Sequence, residues 1–154
     1  MTPARPALVP ELYVTDLGES LAFYVEALGF VVVYDRPEEH FAALRLGDAH
    51  LMLEQAPSLA AASPEAWERG EWRLADLERP FGRGMNLEIR VDAVAPIEAR
   101  LAVRGDAPLI GAHERTCRIG SVDRRVRQLL VADPDGYLIR LSQTLADVAQ
   151  PAGG

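Results

Sequence analysis

The chain has 154 residues, 49% of them hydrophobic, and a formal net charge of −7. This length and composition suit one compact domain, or two fused half-domains, with a sizeable core. The acidic balance excludes nucleic acid as a partner, because phosphates are bound by Lys and Arg, and it favours a neutral or cationic ligand. The single cysteine, Cys117, excludes an intrachain disulfide framework. With no apolar run of membrane-spanning length, the sequence predicts a cytoplasmic protein.

The first half of the chain predicts a strand, a helix and a hairpin. The strand is "ALVPELYV" at 7–14, which is rich in β-branched and apolar residues. Asp16 is the predicted N-cap of a helix, and Gly29 is the predicted glycine just after its C-terminus. Between them the apolar residues recur at helical spacing. The half is completed by an extended run and a hairpin with a Gly-Asp turn, at 30–35 and 40–55.

The second half repeats this order of elements. A strand is predicted at 85–92, and Asp92 is the predicted N-cap of a helix that ends at Gly105. The distance from cap to glycine is thirteen residues, as it is in the first half. Further strands are predicted in 106–132, and the Asp-Gly pair in "ADPDGY" predicts the closing hairpin turn. Two similar supersecondary units therefore lie in tandem.

The segment between the units departs from this pattern. Residues 56–83 are rich in Pro, Gly and charge, and they hold both tryptophans of the chain, Trp67 and Trp72. The sequence predicts a single domain over 1–145, followed by a flexible tail at 146–154. Within the domain the predicted parts are a first unit, an insert and a second unit, at 7–55, 56–83 and 84–145.

The two segments "VTDLGESLAFYVEALGF" and "VADPDGYLIRLSQ", on a repeated βαβββ plan, resemble the vicinal oxygen chelate superfamily. That superfamily includes glyoxalase I, extradiol dioxygenases and bleomycin-resistance proteins. The resemblance implies an α+β fold of two tandem βαβββ units, which form a cupped mixed sheet with the helices on its outer face. In this fold two cups face each other and enclose a site.

Strand alternation predicts which side chains point into the cup. Leu12, Leu53 and Ile139 suit the face covered by the helices, so their strand neighbours point the other way. Phe41 is a further candidate. The predicted cavity residues are Glu11, Tyr13, Phe41, Met52, Glu54, Asn86, Glu88, Arg90 and Arg140, with Trp67 and Trp72 as aromatic residues at its mouth. The alternatives are an internal ion-pair network for the charged members and an anchoring role for the tryptophans.

The superfamily's metalloenzymes take a His or Glu ligand from the first and last strand of each unit. Carried over residue by residue, these four positions hold Val9, Met52, Asn86 and Arg140. Hydrocarbon, thioether, amide and guanidinium groups do not make a site for a divalent cation. The resemblance, combined with these residues, therefore implies no metal and no other cofactor.

A metal-free cup most resembles the bleomycin-resistance branch, whose members bind a bulky cationic glycopeptide antibiotic without chemistry. The sequence predicts such a small-molecule binding protein, a homodimer with clefts lined by both subunits. The alternatives are a glyoxalase- or dioxygenase-like metalloenzyme with misaligned ligands, a metal-free acid–base catalyst, and a binder of an endogenous metabolite. The prediction is that the chain binds rather than catalyses, and the ligand itself is left open.

Overall fold

Two four-stranded mixed sheets form the body of the molecule, whose computed structural model describes residues 6–150. In each sheet the first strand runs parallel to the last strand of its unit, and the other pairs are antiparallel. The first sheet has the order β1-β4-β3-β2, with β1 Glu11–Val14, β2 Val31–Arg36, β3 Phe41–Leu46 and β4 Ala49–Gln55. The second has the order β5-β8-β7-β6, with β5 Asn86–Arg90, β6 Ile110–Ile119, β7 Val122–Ala132 and β8 Leu138–Ala149. The predicted α+β fold of two βαβββ units is confirmed.

One helix follows the first strand of each unit. In the first unit, α1 (Leu17–Leu21) continues as a π-helical segment, Ala22–Leu28. The Asp16 carboxylate accepts the Glu19 N–H at 2.8 Å, as the predicted N-cap requires. A short helix, α2 (Pro64–Glu68), lies in the insert, and α3 (Ala95–Arg104) belongs to the second unit. None of the helices that the structure describes is long and apolar enough to cross a membrane.

The predicted Asp92 cap of α3 is wrong. The N-cap of α3 is Val94, and its backbone N–H donates to the Gln143 side-chain oxygen at 3.1 Å. In the first unit Gln55 does the same for the Leu17 N–H at 2.9 Å. A glutamine from the last strand of each unit therefore satisfies one of the orphan donors at the helix start. This tertiary contact cannot be seen in the local capping pattern.

The core lies between the sheets and the paired helices. Both units contribute fully buried residues, among them Leu53, Leu101 and Ile139. The helices touch directly, with the Arg100 side chain donating to the Ala27 carbonyl at 2.9 Å. The alternation predicted from the strands is confirmed for the core positions of β1, β4 and β8. Strand alternation also predicts that Leu8 lies on the covered face, but Leu8 is 81% exposed because it precedes the first residue of β1.

The tight turn between β7 and β8 joins the two units. Asp135 is 1% exposed, and its carboxylate accepts the Thr15 backbone N–H at 2.9 Å and the Thr15 hydroxyl at 2.7 Å. Arg79 from the insert donates to the same carboxylate at 3.0 Å. Asp133 accepts the Tyr24 hydroxyl of the first unit at 3.0 Å. Two carboxylates of one turn thus hold the end of β1, the first helix and the insert in place.

The predicted flexible tail begins too early. Residues 146–149 continue β8, with Ala149 paired to Val122 across the ladder. Gln150 follows with its backbone N–H bonded to the Ser121 carbonyl at 2.9 Å. The ladder extends this far because the long β6–β7 hairpin offers partners to the end of β8. The remaining residues of the predicted tail, 151–154, lie outside the described part of the chain.

Candidate ligand-binding faces

A cavity of about 350 Å³ lies against the first sheet, and we call it the N-terminal face. The register pairs Glu11 with Met52 and Phe41 with Glu54, so these side chains share one side of the sheet. The insert adds Trp72 at the edge of the same cavity. The lining is Glu11, Tyr34, Arg36, Glu39, Phe41, Met52, Glu54, Arg69, Gly70 and Trp72.

Aromatic rings form one wall of the N-terminal face. The rings of Tyr34 and Phe41 lie 5.9 Å apart, and the Arg36 guanidinium sits 3.9 Å from the centre of the Phe41 ring. Arg36 is also paired with Glu39, so its charge is already balanced within the wall. Trp72 is 64% exposed, which leaves a flat surface open to solvent. Such a wall suits a planar ligand group.

Two carboxyl groups, those of Glu11 and Glu54, lie together on the same face. Burial, followed by hydrogen bonding and charge repulsion from Glu11, raises the pKa of Glu54 to about 7. Glu54 therefore holds a proton that exchanges near neutral pH, because a second carboxyl group lies beside it. A protonated amine placed between them would replace that proton. The pair thus suits a cationic group beside the planar one.

The raised pKa of Glu54 predicts that Glu54→Gln will stabilise the protein at alkaline pH. The folded protein binds this proton more tightly than the unfolded chain, so the contribution of Glu54 to stability is lost as pH rises through about 7. Glu54→Gln has no ionisable group at this position, so its stability does not fall as pH rises through this range. Its melting temperature should exceed that of the parent protein above pH ~8, and the difference should shrink towards pH ~5.

Thermal unfolding followed by circular dichroism across that pH range tests this prediction. Glu38→Gln is the matched control, because Glu38 is exposed and forms no ion pair within the described chain. A Glu54→Gln difference that stays constant with pH would contradict the raised pKa of Glu54.

The second sheet presents its own cavity of about 390 Å³, which we call the C-terminal face. The pairing of β5 with β8 places Glu88 beside Arg140, and the pairing of β7 with β8 places Gln128 beside Ser142. The Arg140 guanidinium pairs with the Glu88 carboxylate at 3.1 Å. The lining is Glu88, Arg90, Cys117, Ile119, Arg124, Val126, Gln128, Arg140, Ser142 and Thr144.

The predicted cavity residues are divided between these two faces. Glu11, Phe41, Met52 and Glu54 lie together in the N-terminal face, whereas Glu88, Arg90 and Arg140 lie together in the C-terminal face. The two groups line two different cavities, so one chain does not bring them into the single cup that the resemblance implies. Asn86 is exposed at the start of β5 and lines neither cavity.

The tryptophans of the insert have different roles. Trp72 lines the N-terminal face, as predicted for a residue at its mouth. Trp67 does not: its indole N–H donates to the Arg73 carbonyl at 3.4 Å, a contact within the insert. Tyr13, predicted to line the cavity, accepts the Trp72 backbone N–H on its hydroxyl at 3.0 Å. Tyr13 therefore positions the loop that carries Trp72.

Several lining residues were missed by sequence reasoning. Tyr34 lies on β2 beyond a register shift between Val32 and Tyr34, and this bulge changes the side to which the ring points. In the C-terminal face the missed polar residue is Gln128, which is 2% exposed. Its signal was available, since alternation from the buried core residues Leu129 and Val131 turns Gln128 to the opposite side of β7.

Comparison with known proteins assigns the family. The model of the Glyoxalase/Bleomycin resistance protein/Dioxygenase superfamily matches residues 7–141. The chain belongs to this superfamily. Among curated proteins, no significant match was found.

Three solved structures illustrate what the chain is similar to. A superfamily member from Vibrio splendidus 12B01 is 30% identical over 88% of this chain and 95% of its own, with a TM-score of 0.38. A glyoxalase/dioxygenase from Nostoc punctiforme is 21% identical over 92% of each chain, with a TM-score of 0.64. TnmS3, an antibiotic binding protein from Streptomyces sp. CB03234, is 23% identical over 94% of this chain and 100% of its own, with a TM-score of 0.56. The last two show the shared fold.

The four positions that resemble the superfamily's metal-ligand positions do not fit a divalent cation. Arg140 carries a fixed positive charge there and is held by Glu88. Met52 lies in the N-terminal face and Arg140 in the C-terminal face, so the positions are also spread over two cavities. Between residues 6 and 150 no group of three or more His, Cys, Asp or Glu could hold a metal. The residues present therefore do not suit the ion of the metalloenzymes.

Proposed function

We propose that this chain is a metal-free small-molecule binding protein that sequesters an antibiotic of the bleomycin type. The observation that carries the proposal is the N-terminal face, where an aromatic wall stands beside the Glu11–Glu54 carboxyl pair. A planar group of the ligand stacks on Tyr34 and Trp72, and a cationic group approaches the two carboxylates. Binding alone then keeps the drug from its target.

Charge at longer range supports a cationic ligand. The chain has sixteen basic and twenty-three acidic residues, which give the formal charge of −7. A negative protein raises the local concentration of a cation and speeds its encounter with the site. The antibiotic-binding description of TnmS3, which shares the fold, is consistent with this function.

A homodimer with clefts lined by both subunits belongs to the same proposal. Each face described here is an open cavity, whereas ligand sites usually bury most of the ligand surface. If a second copy placed its C-terminal face over the N-terminal face of the first, two equivalent clefts would form under two-fold symmetry. Ligand binding and dimerisation would then be coupled.

A second candidate function rests on Glu54. A carboxyl group with a pKa of about 7 is suited to accept and return a proton near neutral pH. Metal-free acid–base catalysis on a bound ligand is therefore the alternative to binding without chemistry. It requires that the ligand leave the protein changed.

Calorimetric titration with bleomycin tests the proposal. The protein is stripped of metal with EDTA and titrated with metal-free and with copper-loaded bleomycin. The expected result is micromolar or tighter binding of one drug per subunit, and mass spectrometry should recover the drug unchanged. The Glu11→Gln/Glu54→Gln double variant should bind more weakly. Absence of heat with both drug forms would overturn the drug assignment, and a modified drug would favour the catalytic alternative.

A further inference from the structure

The C-terminal face holds buried polar atoms that the protein does not satisfy. Gln128 is 2% exposed, and its side-chain oxygen has no hydrogen-bond partner within the described residues. The Nε of Arg140, on the neighbouring strand, is likewise buried and without an acceptor. Buried polar groups are nearly always paired, and an orphaned one costs free energy comparable to a lost hydrogen bond. Both residues line the same cavity, so an occupant that reaches between their side chains can supply the missing partners.

The existing contacts of Gln128 are weak. Its side-chain nitrogen lies 3.5 Å from a Glu88 oxygen and 3.4 Å from the Ser142 hydroxyl, both at the long end for hydrogen bonds. The amide is therefore placed in the cavity wall without being locked by its neighbours. Its oxygen can accept a hydrogen bond from a hydroxyl or amide N–H brought in by a ligand.

The charge of this face is opposite to that of the N-terminal face. Three arginines and one glutamate line the cavity. Arg124 is neutralised by Asp147, with both of its N···O contacts at 2.7 Å, and Arg140 is paired through Nη2 with Glu88 at 3.1 Å. Arg90 forms no ion pair with any residue from 6 to 150. One cation is therefore left uncompensated on the same face as the unsatisfied Arg140 Nε.

We infer that the C-terminal face is a subsite for an organic anion, a carboxylate or phosphate, with a hydroxyl or amide N–H next to it. Arg90 and Arg140 Nε bind the anionic oxygens, and Gln128 accepts the neighbouring donor. Charge-assisted bonds from guanidinium to an oxyanion are among the stronger polar contacts. The inference rests on the proposed function in taking these faces as the ligand site, and it adds a second recognition element of opposite charge.

Cys117 reports on this subsite directly. It is the only cysteine of the chain, is half-buried, and lines the same cavity. Alkylation by the anionic reagent iodoacetate is compared with alkylation by neutral iodoacetamide, so that the thiol's own reactivity cancels in the ratio of rates. A positive cavity attracts the anion, and we expect Arg90→Gln to lower the ratio by about threefold or more at low salt.

Arg118→Gln is the matched control. Arg118 is exposed and adjoins Cys117 in sequence. Cys117 and Ile119 line the cavity, so the Arg118 side chain between them points to the opposite side of the strand. This variant should leave the ratio unchanged. Equal effects of the two substitutions, or a change of oligomeric state in Arg90→Gln with the ratio unaltered, would overturn the assignment of Arg90 to an anion subsite.

Mandelate is the binding probe, because it carries a carboxylate next to a hydroxyl and a planar ring. It should slow iodoacetamide alkylation of Cys117 and shift the Gln128 side-chain amide resonance, whereas neutral mandelamide at the same concentration should do neither. Phenyl phosphate tested in parallel distinguishes phosphate from carboxylate ligands. Arg90→Gln should abolish the mandelate effect.

The outcomes separate this inference from the proposed function. Bleomycin binding in the calorimeter without any mandelate effect on Cys117 or Gln128 would overturn the anion subsite and leave the proposed function standing. A mandelate effect without bleomycin binding would support the anion subsite and overturn the assignment of bleomycin as the ligand. Equal effects of mandelate and mandelamide would show that charge is not recognised, which contradicts the inference.

Discussion

Replacing Asp135 by alanine is expected to lower the free energy of unfolding by about 3 kcal/mol. Its buried carboxylate accepts the Thr15 N–H and hydroxyl and the Arg79 guanidinium, so the alanine variant leaves several donors without an acceptor. The loss should be cooperative, because the contacts join the end of β1, the insert and the β7–β8 turn. Urea unfolding followed by circular dichroism measures it as a lower midpoint at unchanged slope.

Asp106→Ala is the control for this substitution. Asp106 is also paired with an arginine, Arg104, at 2.9 Å, but the pair lies at the surface. Surface ion pairs contribute about 0–1 kcal/mol, so the control should barely move the midpoint. If Asp135→Ala were no more destabilising than Asp106→Ala, the turn would not be the joint between the units.

The double variant Tyr34→Ala/Trp72→Ala is expected to weaken binding of metal-free bleomycin by about 10- to 100-fold. Both rings line the N-terminal face, and at 41% and 64% exposure they contribute little to the core. Their removal takes away the flat surface on which a planar group stacks. Calorimetric titration gives the affinity, and thermal unfolding verifies that the variant stays folded.

Val33→Ala/Leu74→Ala serves as the matched control. These residues lie on β2 and in the insert, as Tyr34 and Trp72 do, and are 49% and 84% exposed. Neither lines the N-terminal face. Affinity should be retained in the control. A loss of equal size in both double variants would show that the effect is not specific to the aromatic wall.

The repeated local pattern predicts most of the fold. Asp16, Gly29 and Gly105 occupy the cap and terminal positions that the spacing assigns, and both terminal glycines have positive φ, +90° and +80°. Asp92 fails because the donor at the start of α3 is taken by Gln143, which is distant in sequence. Local rules therefore identify the elements, whereas a long-range contact decides one helix boundary.

The site is predicted less completely. Alternation correctly separates core from non-core positions, which is why Glu11, Met52 and Glu54 lie on one side of the first sheet. It does not determine how the two sheets are oriented to each other, so it cannot show that Arg140 lines a different cavity. Tyr34 is missed because a bulge in β2 breaks the period-2 rule.

The two faces differ in charge, and the composition of the whole chain does not show this difference. The net charge of −7 is an average over the chain, whereas Arg90 and its neighbours give the C-terminal face an excess of positive charge. The N-terminal face holds the Glu11–Glu54 carboxyl pair. If two copies close their clefts as we propose, each cleft joins a negative face to a positive one. A ligand with charges of both signs would fit it best.

The most direct test is an NMR titration of metal-stripped protein with metal-free bleomycin, with EDTA present throughout. We expect shifts of the Trp72 indole N–H and the Met52 methyl resonance, both in the N-terminal face, while the Trp67 indole N–H, which is bonded to Arg73, stays in place. Shifts confined to residues outside both faces would contradict binding at this site. So would shifts that appear only after a divalent metal is added in excess of the EDTA.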